Sequence, residues 1–375
     1  MGARTYAACF AYTRCMTAEF QTFDFWWPAL AACLGTGVLL AALIPLAHRI
    51  ALVDKPSARK IHTAPVPLVG GLGVFIVFAA VLCLADAPFA KLPVLLTAGL
   101  VLVLIGVIDD FRELPTRIRF VAQIAAGLIC CYVADLRLVD MGALRFDGEL
   151  SRLGAWEVPI TVFCVVGVIN AFNMLDGMDG LAGGSALIST VALATLAAAA
   201  GRVGDAQVLC VFAGCLTGFL ILNTRVGRRR ALVFFGDAGS LLVGFVLAWF
   251  VVDLSQGSER AFAPVQALWI VLVPLFDTVR LLIWRPVRGI SPFRGDQEHL
   301  HHLLRRHGLS HRRTVTTVLL SCGATAVFGV AGPQLGVSEF WMFYLFMGLF
   351  AAYALWLGHA WWQRRWLGAA LPPDV

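Results

Sequence analysis

Apolar runs of roughly 18–23 residues recur along the whole of this 375-residue chain. Runs of that length match the hydrocarbon thickness of a bilayer and exceed what a soluble core asks of one segment. In lipid each segment has to satisfy its own backbone hydrogen bonds, which a helix does. Composition agrees: 59% of residues are hydrophobic and 14% charged, and mean hydropathy is +0.82. A soluble domain has about 45–50% and about 25%. The expected fold class is an all-α polytopic membrane protein of about 11 transmembrane helices. The spans fall near 27–47, 68–86, 92–108, 118–135, 158–172, 181–200, 207–223, 237–253, 264–284, 314–331 and 339–361. No Pro-rich or Ser-rich linker divides them, so 26–362 reads as one transmembrane domain and 363–375 as a tail. Residues 1–25 lack a long apolar h-region and a clear cleavage site, and make a poor signal peptide; Met16 is an alternative start.

Charge placement orients the chain. Twenty-one of the 29 Lys and Arg residues fall in or beside the loops 48–67, 109–117, 173–180, 224–236 and 285–313 and the tail, against eight on the other side. The positive-inside rule then puts the N-terminus outside and the C-terminus in the cytoplasm, as an odd number of spans requires. The outer loop 136–156 carries Asp147-Gly148 between short mixed apolar runs and is expected to form a small β-hairpin. The ten cysteines include no CxxC pair, and most lie inside apolar runs as small buried hydrophobes.

The unusual polar residues all fall on the side assigned to the cytoplasm. "DKPSARKIHTAPVPLVGG" supplies Arg59, Lys60 and His62, suited to phosphate, and Gly70-Gly71 for close helix approach. A basic loop under the positive-inside rule is the plainer account. "GVIDDFRELPTR" puts Asp109 and Asp110 at a helix C-terminus, where the macrodipole opposes them. Adjacent helical residues point about 100° apart, so at most one faces a given ligand squarely. "NAFNMLDGMDGLAGG" holds Asn170, Asn173, Asp176 and Asp179 at steps of three, which drift around a straight helix. Gly177 and Gly180 invite a break that re-aims the later acids. Convergent carboxylate and amide oxygens suit Mg²⁺ or nucleotide hydroxyls. In "LVFFGDAGSLLVGF", Asp237 either caps a helix or meets an anion at its start, with Phe234 and Phe235 beside it. "GDQEHLHHLLRRHG" reads as an amphipathic interfacial helix whose histidines and arginines can hold a diphosphate. Asp277 and Arg280, at i and i+3, read as an ion pair. Transporters usually place ionisable groups near the bilayer midplane, whereas these sit at span ends. That suits phosphoryl transfer, in which metal and basic groups neutralise charge and positioning does most of the work.

The order of these motifs resembles the polyprenyl-phosphate N-acetylhexosamine-1-phosphate transferase family over roughly residues 50–310. The HLHH form and "RKIHTAPVPLVGG" are most similar to the undecaprenyl-phosphate N-acetylglucosamine-1-phosphate transferase branch. Ser57 stands where the family motif often has Asn. The resemblance implies a Mg²⁺-dependent enzyme, with Mn²⁺ as an alternative, in the bacterial inner membrane. It implies UDP-GlcNAc and undecaprenyl phosphate as substrates, giving GlcNAc-diphospho-undecaprenol and UMP and opening O-antigen or related glycan synthesis. Another UDP-N-acetylhexosamine, or UDP-MurNAc-pentapeptide, is the alternative donor; a lipid-linked sugar transporter or scaffold is the non-enzymatic alternative. Membrane lipid and a homodimeric partner are expected, and no nucleic acid. By resemblance, Asp109, Asp110, Asp176 and Asp179 are catalytic, and Asn173 and Asp237 hold metal. Arg59, Lys60, His62, Phe234, His299, His301 and His302 bind substrate. Reporter fusions placed in the Asp109, Asp176 and Asp237 regions are expected to report one common side of the membrane. Opposite sides for any two would rule out a shared site.

Overall fold

The computed structural model describes residues 26–54, 65–228, 230–289, 291 and 298–366, with side chains to 358. Its helices are α1 (Trp26–Arg49), α2 (Gly70–Leu84), α3 (Leu92–Arg112), α4 (Thr116–Tyr132), α5 (Glu157–Leu175), α6 (Leu181–Ala199) and α7 (Val203–Asn223). There follow α8 (Gly236–Ser255), α9 (Pro264–Ile270), α10 (Leu272–Val287), α11 (Leu300–Arg306), α12 (His311–Ala331) and α13 (Glu339–Trp366). Each of the eleven expected segments holds helix. Among the described residues, eight helices are long and apolar enough to cross a membrane, or nine if α9 and α10, bent by 86° at Val271, form one span. By length and composition, the expected eleven crossings are not confirmed among the described residues. With 15 residues, α2 is shorter than an ordinary bilayer-spanning helix, and α4 has 17.

The centre of the bundle is α8. From Ala238 to Ser255 only Val251 is more than slightly exposed, and α3, α5 and α2 pack around it. These approaches rest on missing side chains. A Cβ on Gly71 would run into the backbone of Ala238 and Gly239, one on Gly106 into that of Asp237 and Ala238, and one on Gly244 into Ile169. A two-stranded antiparallel ribbon, β1 (Val53–Asp54) and β2 (Val66–Pro67), pairs Val53 with Pro67 and Asp54 with Val66. It is stitched to the strand-like approach to α8. Phe234 N–H donates to Pro67 O (2.8 Å), Gly70 N–H to Phe234 O (3.0 Å) and Gly71 N–H to Phe235 O (3.0 Å). A second apolar cluster, around Trp269, Phe276, Met342 and Phe346, joins α9 and α10 to α12 and α13.

The expected hairpin in 136–156 is not a sheet. The loop has one isolated antiparallel bridge, Asp140 to Arg152, and a turn at Gly148 with φ +75°. Backbone bonds cross the loop from Met141 N to Ser151 O (2.9 Å), Ser151 N to Gly142 O (3.0 Å) and Leu153 N to Val139 O (2.9 Å), and side chains take further backbone groups beside them. Gln256 Oε1 accepts from Val139 N (2.8 Å) and Asp140 N (3.1 Å), and Glu339 Oε2 from Ala143 N (2.7 Å). At this same end of the bundle Trp26, Tyr132, Trp156, Trp341 and Tyr344 are exposed, as in an interfacial aromatic belt. The eight described cysteines are all free.

Gly106→Ala should destabilise the folded protein in detergent by about 1–3 kcal/mol, the usual cost of overpacking. Gly167→Ala, at a site with nothing within 4 Å of the new carbon, should be neutral. Thermal unfolding followed by circular dichroism compares the two.

Candidate functional site

At the end of the bundle away from the aromatic belt, the last turns of α3 and α5, the turn 176–180 and the starts of α8 and α12 enclose a cleft of about 480 Å³. Asp109, Asp110, Asn173, Asp176, Asp179, Phe234, Asp237 and His302 line it, so eight of the thirteen residues singled out from sequence converge there. His299 and His301 are buried behind it. Arg59, Lys60 and His62 lie outside the described residues.

The neighbouring acids of α3 diverge as helical geometry requires. Asp110 faces the start of α8, where Oδ1 accepts from Asp237 N (2.8 Å) and Oδ2 from Ala238 N (3.4 Å). Its carboxylate fills the space that a side chain at Gly236 would take, and Gly236 itself has φ +71°. An anion at the positive end of a helix is the favourable placement. Asp109 turns the other way. Its Oδ1 accepts from Leu114 N (2.5 Å), and its Oδ2 lies 2.9 Å from Arg119 Nη1. The same guanidinium nitrogen is 3.5 Å from Asp237 Oδ1, bridging the two carboxylates. Asn173 Nδ2 donates to Asp237 Oδ1 and to Ser240 Oγ, each at 2.8 Å, tying α5 to the first turn of α8.

The break foreseen after α5 is present. Asp176 terminates the helix, and Gly180 takes φ +82° before α6. Buried Asn223 braces this turn, accepting from Gly180 N (2.7 Å) and donating to Val233 O (2.8 Å). Asp179 Oδ2 pairs with Arg225 Nε at 2.5 Å. Asp176 is exposed to the cleft. Desolvation by the protein atoms crowded around it, reinforced by the charges of Asp237 and Asp179, raises its carboxyl from 3.8 to about 7. His301, 1% exposed, fills the space beside Gly177. Burial, reinforced by His302 and His299, lowers its imidazole from 6.5 to about 3, and it is neutral. Neither ring nitrogen has a hydrogen-bond partner among the described residues. Asn170 does not join the cleft; its Nδ2 donates to Gln123 Oε1 on α4 (2.5 Å). Phe235 is likewise buried, stacked on Phe219 with ring centroids 4.1 Å apart.

Sequence reasoning passed over Arg119, Arg225, Asn223, Ser240, Glu113, Asp54 and His311. The two arginines were accounted for by the positive-inside rule, which left no residual signal for pairing with acids. Seven carboxylates line the cleft, and Arg225 is its one Lys or Arg among the described residues. Such a surface repels a diphosphate unless a cation is present, and its oxygen donors are those a hard divalent cation takes. Among the described residues no group of three or more His, Cys, Asp or Glu side chains is gathered as a ready metal site. Arg119 sits between Asp109 and Asp237 instead.

Fold and cleft together define a multi-pass helical membrane protein with an acidic site at one end of its bundle. Residues 92–255 match the family described as Glycosyl transferase family 4. An undecaprenyl-phosphate alpha-N-acetylglucosaminyl 1-phosphate transferase of Salmonella typhi is 34% identical over 335 residues, covering 89% of this chain and 91% of that protein. Proteins of the same name from Yersinia pestis (36% over 325 residues, 86% and 88%) and Haemophilus influenzae (35% over 338 residues, 89% and 94%) are similar throughout. The chain belongs to the family of undecaprenyl-phosphate N-acetylglucosaminyl 1-phosphate transferases.

The raised Asp176 carboxyl has a signed consequence for stability. Between its ordinary value of 3.8 and about 7 the folded protein holds a proton that the unfolded chain has released. Stability contributed by this group therefore falls as pH rises through that window. In metal-free buffer Asp176→Asn should unfold at a higher temperature than wild type at about pH 8, with the gap closing toward about pH 4. Parallel thermal scans across pH test this.

Proposed function

We propose that the chain transfers N-acetylglucosamine 1-phosphate from UDP-GlcNAc to undecaprenyl phosphate, giving GlcNAc-diphospho-undecaprenol and UMP. The observation that carries the proposal is the convergence of Asp109, Asp110, Asn173, Asp176, Asp179 and Asp237 on one cleft at one end of an apolar bundle. A soluble, multiply charged donor enters such a cleft from water, while a polyprenyl acceptor presents its phosphate from the headgroup layer. Family membership supports the same acceptor and the same transferred group. The cytoplasmic side of the bacterial inner membrane is the side on which basic residues concentrate, with the N-terminus outside and the C-terminus inside. The product would open synthesis of O-antigen or a related surface glycan.

An oxygen of the acceptor phosphate attacks the donor phosphorus that carries the sugar. A new P–O–P bridge forms, the bond to the bridging oxygen of the old diphosphate breaks, and that oxygen leaves with UMP. The acceptor phosphate is already ionised at neutral pH, so no aspartate has to remove a proton. Asp237 and the Oδ1 of Asn173 would hold Mg²⁺, or Mn²⁺ in its place, with Asp109 beside them. The cation supplies charge neutralisation and alignment of the phosphates. Asp110 keeps the start of α8, and with it Asp237, in register through the amides of Asp237 and Ala238. Arg119 holds Asp109 and Asp237 at a fixed separation. Phe234, on the cleft wall, offers a face for the uracil, and His302 a donor for phosphate. Asp179, paired with Arg225, and Asp176 bound the nucleotide end.

Purified protein given radiolabelled UDP-GlcNAc and undecaprenyl phosphate should move label into the lipid phase and release UMP. EDTA should abolish the transfer and Mg²⁺ restore it. Asp237→Asn and Asp110→Asn should each lower kcat by about 100-fold or more, the scale of losing a group that stabilises transferring charge. A panel that includes other UDP-N-acetylhexosamines and UDP-MurNAc-pentapeptide fixes the donor. Undiminished transfer in both variants would refute the mechanism.

A further inference from the structure

The helix that carries the HLHH motif is only seven residues long, too short to hold itself together by its own hydrogen bonds. Its N-cap, His299, makes no side-chain cap. The orphan amide at its start is satisfied from elsewhere: Leu300 N–H donates to Asp277 Oδ1 on α10, at 2.9 Å. The other oxygen of the same carboxylate, Oδ2, lies 2.8 Å from His299 Nδ1. Asp277 is 2% exposed. Its Oδ1 also accepts from Arg280 Nη2 and from Tyr353 OH of α13, each at 3.3 Å. Arg280 in turn donates to Glu298 O at 2.5 Å, directly before the motif. The i, i+3 ion pair expected from sequence is real but is the smaller part of what this carboxylate does.

We infer that Asp277 is a positioning residue for the transfer reaction, anchoring His299 and the first amide of α11 so that His302 is delivered into the cleft. A carboxylate accepts only, so His299 must keep its proton on Nδ1. Its ring lies parallel to that of His301, with centroids 5.8 Å apart and planes 8° from each other. His301 in turn packs into the space left by the absent side chain of Gly177. The chain of contacts Asp277, His299, His301, Gly177 therefore sets the height of α11 against the 176–180 turn. His302, 4.2 Å from His301 by ring centroid, is the one imidazole of the motif that lines the cleft. On this reading His299 acts on substrate through the helix it fixes, whereas the family resemblance makes it a substrate ligand. The activity arms of the test rest on the function proposed above; the exchange arm does not.

The full-length purified protein in detergent is the material for three variants. In Asp277→Asn the amide cannot accept from both Leu300 N and His299 Nδ1. Backbone hydrogen exchange over residues 299–306 should quicken, and kcat/KM should fall by about 10- to 100-fold, the scale of a misplaced substrate-positioning group. His299→Asn and His299→Gln leave Asp277 in place and separate the two ring nitrogens. The Asn amide nitrogen sits near the position of Nδ1, and the Gln amide nitrogen near that of Nε2. Anchoring through Nδ1 means that Asn retains at least about tenfold more kcat/KM than Gln, one strong hydrogen bond's worth. The reverse order would show His299 meeting substrate through Nε2 and would overturn the inference, as would unchanged exchange in Asp277→Asn. Absence of turnover in wild type would count against the proposed function alone, because the exchange comparison still judges the anchor.

Discussion

Everything at the cleft hangs on the close seating of the first turn of α8 among its neighbours. Gly71 and Gly106 bring two other helices to backbone contact with residues 237–239. Asp110 accepts the first free amides of that turn. A helix start in an apolar bundle leaves unsatisfied N–H groups that lipid cannot solvate. The carboxylate answers that requirement and at the same time aims Asp237 at Asn173 and Arg119. On the proposed function, structural and chemical roles would therefore meet in one turn, with Asp110 serving the first through the amides of Asp237 and Ala238.

The charge balance of the cleft follows from this arrangement. Acids gathered from α3, α5, the following turn and α8 outnumber the basic groups within reach; the Asp176 carboxyl is raised first by desolvation and then by the charges of Asp237 and Asp179. Acids held this close repel one another, a cost common where binding geometry is set in advance; on the proposed function a cation would offset it. Arg119, between Asp109 and Asp237, is the internal counter-charge to this pair.

The helical frame was legible because lipid forces apolar runs to be long and continuous, and helix occupies each expected segment. The crossing count was less so: the Gly-rich α2 is short, and the break at Val271 turns one apolar run into two helices. Asp109, Asp176 and Asp237 stood out because acids at span ends need a reason. Arg119 and Arg225 did not, since loop arginines are explained by topology alone. Asp147-Gly148 marked a turn, and the two arms of the loop do pair, through one bridge and three backbone bonds; the side chains of Gln256 and Glu339, remote in sequence, take further backbone groups there. Asp277 was read with its neighbour Arg280, while its partners His299 and Tyr353 lie 22 and 76 positions distant. Partners that remote leave no periodic trace.

The reach of α13 into this end of the molecule has a consequence for how the protein can be handled. The final helix lies outside the stretch matched by the family description, residues 92–255, and resembles a dispensable membrane anchor. Yet Phe346, Phe350 and Tyr353 pack around Phe276, at 4.9, 5.1 and 5.8 Å between centroids, and Tyr353 OH donates to the neighbouring Asp277 Oδ1. Trimming the chain before this helix would open that carboxylate to lipid or water and loosen the histidine segment from behind. α13 is thus tied in space to the segment that carries the histidine motif.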